Sequence, residues 1–333
     1  MKLELKNIRK SFEDKEILHG VSFSVESGRA LGLLGRNGAG KTTTIRIIMD
    51  VFHANEGEVI LDGKKFTPDG SQVGYLPEER GLYPKKVVKE QMMYLAMLRG
   101  MNKKEAIKST EKWLGKLQVS EYIDRKLDTL SKGNQQKVQL AATLVGEPDI
   151  VILDEPFSGL DPVNSQILKD VIRELIADGK IVIFSSHQMS YVEEFCEDIA
   201  IINHGEVVLS GNLDVIKEEY GRGRKVLSAT NYDLEQLEEL CNTKLSDKVK
   251  VLGKNKHYVI LDLNENVDQW QVLDALKATN VDIKTFGAYE PSLNDIFVSK
   301  VGEEVEVVPE ENQEEETDAK KSRKVGLFGK GGK

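Results

Sequence analysis

Residues 35–42 read Gly35-Arg36-Asn37-Gly38-Ala39-Gly40-Lys41-Thr42, a complete G-x-x-x-x-G-K-[ST] pattern. These types at this spacing suit phosphate chemistry. The glycines let backbone N–H groups close around phosphate oxygens, and a helix starting behind them points the positive end of its dipole at the same place. Lys41 is placed to reach β- and γ-phosphates, and the Thr42 hydroxyl to ligate Mg²⁺. A second group is the acidic pair Asp154-Glu155. Asp154 suits Mg²⁺, directly or through water. Glu155 suits the water that attacks a γ-phosphate, a general-base task typically worth about 10²–10⁴-fold in rate. A third group lies in Leu130-Ser131-Lys132-Gly133-Asn134. Ser131 is a good helix N-cap, and Gly133 lets a backbone come close to an anion there.

Such residues need elements to hold them. The glycine-rich loop follows the apolar run Ala30–Leu34 and precedes a helical run over 43–51, the strand–loop–helix context the pattern requires. Asp154 and Glu155 end the run Ile150-Val151-Ile152-Leu153; Ile181-Val182-Ile183-Phe184 reads alike. Short, continuous, β-branched runs are how parallel strands covered on both faces read. Their C-terminal ends form the ligand edge of an open α/β sheet. By contrast, residues 3–6 and 21–25 alternate and predict half-exposed antiparallel strands. Residues 85–146 carry helical periodicity with no strand candidate, with Val88, Met92, Leu95, Ile107, Trp113 and Leu114 recurring at or near helical spacing; they predict an all-helical insertion in which the Met and aromatic residues are core.

Residues 1–220 therefore read as an α/β domain. Beyond Gly221-Arg222-Gly223 the texture changes. Strands are expected over 225–229, 248–252, 258–263 and 281–286, and helices over 233–240 and 267–278. That β-α-β-β-α-β order fits a small ferredoxin-like α+β unit over 221–302, with a last helix over 292–301 behind Pro291. Residues 303–333 carry acid up to Asp318, then Lys320, Lys321, Arg323 and Lys324, and read as a disordered charged tail. Its basic end is a candidate contact for anionic lipid or RNA.

Bulk properties narrow the classes. A length of 333 residues allows about two domains, and 40% hydrophobic with 30% charged residues is ordinary for a globular chain. A net charge of −9 argues against a general nucleic-acid surface. Two cysteines, Cys196 and Cys241, give no disulfide framework and point to a reducing, cytoplasmic setting. The start reads as a strand and not as a signal peptide, and no run nears the ~20 apolar residues of a membrane span. Any role at a membrane is then expected through a partner.

Taken in order, these motifs resemble the nucleotide-binding subunit of ATP-binding cassette (ABC) transporters, over residues 1 to about 220. The resemblance makes 35–42, with Thr43 behind it, the Walker A motif, and LSKGN the family's LSGGQ signature. Residues 150–155 become the Walker B strand with its catalytic glutamate, Ser158-Gly159-Leu160-Asp161 the D-loop, and His187, after Ser185-Ser186, the switch histidine. Phe12 falls where the family stacks an aromatic ring on adenine. The implied fold is a P-loop NTPase cassette with an antiparallel β subdomain and a helical subdomain. The implied assembly is a head-to-tail dimer around ATP and Mg²⁺. Ser131 and Gly133 would donate in trans to the γ-phosphate, His187 would hold it in cis, and Asp161 would bridge the halves.

Two motifs depart from the family pattern, at three positions. Lys132 and Asn134 replace Gly and Gln of the signature, and Glu78 stands where the Q-loop has Gln. A carboxylate at 78 can accept from water or reach Mg²⁺, and it adds negative charge near phosphate. The surrounding Leu-Pro-Glu-Glu-Arg-Gly-Leu-Tyr segment resembles the ATPases of ABC-2-type exporters, among them sodium-extrusion and drug-export systems. That branch implies a separate transmembrane permease, a homodimer (or a heterodimer), and a peripheral place on the inner face of the cell membrane. Soluble ABC proteins of ribosomes or DNA repair fit less well, since a single cassette without long heptads is present. A cassette that binds ATP without turnover fits poorly with Lys41, Glu155 and His187 all in place.

Overall fold

The computed structural model describes residues 1–68, 72–79 and 81–302. The tail expected over 303–333 lies outside the described residues. The chain opens with a long hairpin, β1 (Lys2–Phe12) and β2 (Lys15–Glu26), then β3 (Ala30–Leu34) and α1 (Lys41–Ile48). After β4 (Glu56–Leu61) and β5 (Lys64–Lys65) come β6 (Val73–Leu76), α2 (Val88–Leu98), α3 (Lys103–Lys116), α4 (Lys132–Leu144) and β7 (Ile150–Asp154). There follow α5 (Pro162–Ala177), β8 (Ile181–Ser185), α6 (Met189–Phe195), β9 (Asp198–Asn203), β10 (Glu206–Asn212) and α7 (Leu213–Gly221). The last stretch holds β11 (Arg224–Ala229), α8 (Leu234–Lys244), β12 (Val249–Lys254), β13 (Val259–Leu263), α9 (Gln269–Lys277), β14 (Ile283–Ala288) and α10 (Leu293–Val301).

The central sheet has the order β10-β9-β3-β8-β7-β6, parallel except for β10 at its edge. Its middle strands are buried at every position because both faces are covered. The two-residue period still operates. Ile150, Ile152, Ile181 and Ile183 join one apolar cluster with Leu3, Leu5 and Val21 of the antiparallel sheet β2-β1-β4-β5. Val151, Leu153, Val182 and Phe184 point the other way, into a cluster with Leu140, Leu168 and Ile172 of the helices. Each such side chain contributes about 1.5–3 kcal/mol by leaving water.

The insertion is helical as expected, and Val88, Met92, Trp113 and Leu114 are its core. Tyr94, Met97 and Leu98 of α2 are exposed instead, with Tyr83 before them. The helix expected over 43–51 starts two residues earlier, because Lys41 and Thr42 form its first turn directly behind the glycines.

The third sheet, β12-β13-β11-β14, is antiparallel throughout and carries α8 and α9 on one face, the order of a ferredoxin-like unit. Leu227, Leu237, Val259, Leu261, Val272 and Leu276 form its separate core. The last helix does not join that core. Leu293, Ile296 and Val301 of α10 are buried with Leu213 and Ile216 of α7 and Val192 of α6. Glu193 fastens the start of this helix, accepting from the Leu293 N–H at 2.8 Å and pairing with Lys217 at 2.5 Å. By packing, α10 is the point where the chain returns to its first core.

Candidate active site

The glycine-rich loop lies flat against the sheet because side chains would not fit. A Cβ on Gly35 would stand 2.3 Å from the Ile202 carbonyl oxygen. Gly40 has φ +114 and a Cβ there would stand 2.6 Å from Leu18. Gly40 also serves as N-cap of α1 and offers no side-chain acceptor, so the first N–H groups of the helix are left for an anion. The cleft they open into measures about 440 Å³. Phe12, Arg36, Asn37, Gly38, Gly40, Lys41, Thr42, Thr43, Glu78, Asp154, Glu155 and His187 all line it. Gly35 and Ala39 form its back wall: Ala39 is buried in the core, and the Gly35 carbonyl accepts from Lys41 Nζ at 2.6 Å.

Charge in the cleft is set by burial. Lys41 is half-buried, which lowers its pKa against the pull of Asp154, Glu155 and Glu78. Burial raises the Asp154 carboxyl, Glu78 adds to this, and the nearby Ser185 hydroxyl, Lys41 and Tyr75 oppose it. Tyr75 is pushed up to about 12, first by burial and then by Asp154. Asp154, Glu155 and Glu78 act together on the retracted Lys41, and three acids beside one ammonium favour an added cation. Ser185 Oγ, buried at the same cleft, stands next to the Asp154 carboxylate. Among the described residues no cage of three or more His, Cys, Asp or Glu exists. That is compatible with Mg²⁺, which uses one or two carboxylates together with phosphate oxygens and water.

Glu155 is held tightly. Its backbone is left-handed, with φ +48, a conformation that costs a non-glycine residue of order 1–3 kcal/mol. Its Oε1 accepts from the His187 N–H at 2.6 Å and its Oε2 from Ser186 Oγ at 3.1 Å. The His187 ring lies 3.6 Å from Oε1 and is itself half-exposed toward the cleft. Phe12, at the tip of β1, meets Phe52 edge-on at 5.1 Å and keeps 39% of its surface exposed at the far end of the cleft. Beside it stand Lys15 and Ile17, which sequence reading did not single out. Ser185 and Ser186 were read there only as markers for His187; a serine pair at the end of a buried strand was the available signal.

Ser131, Gly133 and Asp161 are brought together, but outside this cleft. Ser131 caps α4 through the Asn134 N–H at 3.3 Å. Gly133 faces the D-loop, where a Cβ would stand 3.1 Å from Asn164 and 3.5 Å from Leu160. Asp161 caps α5, accepting from the Val163 and Asn164 N–H groups at 3.0 Å, and these bonds, Asn164 first, lower its pKa. Two glutamines bind α4 to the cleft loops: Gln136 donates to the Pro156 carbonyl and Gln139 to that of Glu79, both at 3.1 Å.

Comparison with known proteins agrees with this geometry. Residues 18–158 match the ABC transporter family model, and residues 211–301 match the C-terminal domain of the DrrA1-3-like ATP-binding proteins. An uncharacterized ABC transporter ATP-binding protein of Bacillus subtilis, YhaQ, is 39% identical over 305 residues, 90% of this chain and 98% of the relative. The chain belongs to the ABC transporter ATP-binding proteins. Another member, the Nod factor export ATP-binding protein I of Burkholderia lata, is 32% identical over 213 residues, covering 63% of this chain and 70% of that one. A solved ATP-binding subunit of an ABC transporter superposes with a TM-score of 0.61 at 29% identity, over 66% of this chain and 94% of the other. As an ABC transporter ATP-binding protein, this chain is an ATPase and an α/β cassette with an added C-terminal unit.

Proposed function

We propose that this ATPase powers export through a separate transmembrane permease, as a head-to-tail homodimer that closes on ATP and Mg²⁺ at the inner face of the membrane. One observation carries the dimer. The cleft holds the phosphate loop and Glu155, while Ser131, Gly133 and Asp161 form a second, exposed cluster that cannot line the cleft of its own chain. A second copy turned around supplies that cluster. Donors gathered around a transferring phosphoryl group supply most of the catalysis in such reactions.

Within the site, Phe12 stacks on adenine, the N–H groups of 36–43 cradle the phosphates, and Lys41 leaves the Gly35 carbonyl for the β- and γ-phosphates. Thr42, Asp154 and Glu78 hold Mg²⁺, which neutralises charge on the phosphate oxygens when bound. Glu155 takes a proton from the attacking water, and His187 and the partner's Ser131 and Gly133 N–H hold the γ-phosphate. The exposed Tyr83, Tyr94, Met97 and Leu98 form an apolar face beside the Glu78 loop that suits the permease. Among the described residues no helix is long and apolar enough to cross a membrane, which supports a separate partner. Export follows from the branch-specific segment at 76–83 and the printed role of the Burkholderia relative.

The test is co-purification. The Glu155→Gln form, captured from membranes in mild detergent with ATP, should bring down one stoichiometric polytopic membrane protein. Ribosomal or DNA-repair proteins with nothing from the membrane would replace this reading with that of a soluble ABC protein.

A further inference from the structure

We propose that Ser186 is a positioning residue for Glu155, tying the general base to the loop that carries His187; the proposal rests on the reading of Glu155 as that base. The residue is buried, at 4% exposure, and so is its bond to Glu155. Its hydroxyl accepts the Gln188 N–H at 3.1 Å, which turns its own hydrogen toward the Glu155 carboxylate. Glu155 thus has both oxygens engaged, one by the backbone of residue 187 and one by the side chain of residue 186. The neighbouring serine shows the contrast: Ser185, one position earlier, lines the cleft beside Asp154 and makes no contact with Glu155 that would hold it.

The arrangement has a purpose that packing alone does not require. The backbone of Glu155 is left-handed, so ordinary strand geometry does not aim its side chain. Aim comes from the far side, from residues 186–188 at the start of α6. When those residues move with His187, the carboxylate moves with them. Base and γ-phosphate sensor therefore reach their working positions as one body.

The experiment is single-turnover and steady-state ATP hydrolysis by full-length Ser186→Ala, alone and in the Glu155→Gln background. Removing the hydroxyl leaves the phosphate cradle intact. We expect kcat to fall about 10–100-fold, the size of effect that loosening a reacting group produces, with KM for ATP within about twofold of wild type. In the Glu155→Gln background the same change should have no further effect on the rate. An unchanged kcat in Ser186→Ala, or a further loss in the Glu155→Gln background, would overturn the proposal. A Glu155→Gln protein that hydrolyses ATP at near wild-type rate fails differently: it removes Glu155 as the base, whatever Ser186 does.

Discussion

Two sheets of this molecule obey the same packing rules to different ends. The central sheet ends in Asp154, Glu155, Ser185 and Ser186, all buried and all polar. The C-terminal sheet, of comparable regularity, has Ser228 as its one buried polar side chain among the described residues. In the first, parallel strands open all their C-terminal ends at one edge, and the chain accepts buried carboxylates and a left-handed glutamate there. In the second, antiparallel strands alternate in direction and present no such edge, and the core of Leu227, Val259 and Leu261 is apolar. Buried polarity without a stabilising pair is costly. At the central sheet's edge that cost is borne by the residues that line the cleft.

If that contrast is right, perturbations at the two sheets should separate. The largest effect belongs to Glu155→Gln, for which ATP hydrolysis should fall about 10²–10⁴-fold while ATP binding survives; filter binding beside a phosphate-release assay reads both. Next comes the other sheet. Leu261→Ala should destabilise the C-terminal unit by about 2–5 kcal/mol, seen as faster hydrogen exchange in α8 and α9 with β7 and β8 still protected. ATPase activity should stay within about twofold of wild type, and its collapse would show that the two cores do not act separately. The smallest effect is at the rim. Phe12→Ala should weaken ATP by about tenfold through lost base stacking, worth roughly 1–3 kcal/mol, at unchanged kcat. An unaltered Kd would move the adenine away from that ring.

Much of this is legible in the sequence alone. β7 and β8 declared themselves as continuous β-branched runs, and Ser131 with the helix behind it was readable almost to the residue, because capping is local chemistry. The order of β11 through β14 with α8 and α9 was readable from alternation and turn signals. What stayed hidden was long-range. β4, with Glu56 and Glu58 in its sequence, becomes a strand only by pairing with β1. β9 and β10 gave no chemistry to attract notice. The hold of Ser186 on Glu155 spans 31 positions and depends on β7 and β8 being neighbours. The destination of α10 was equally silent, since its apolar stripe fits either core.

That destination changes what the C-terminal unit is. The chain leaves the first core at Gly221, which is pressed so closely against the Tyr289 carbonyl that a Cβ would stand 2.4 Å from it. It re-enters through α10, which begins a few residues after Tyr289. The small sheet is therefore an inserted module whose two ends meet, and not an appendage hung from one strand. A module of that kind can be lost, exchanged or replaced over evolution, or by a designer, through one short splice that leaves the final helix in its seat.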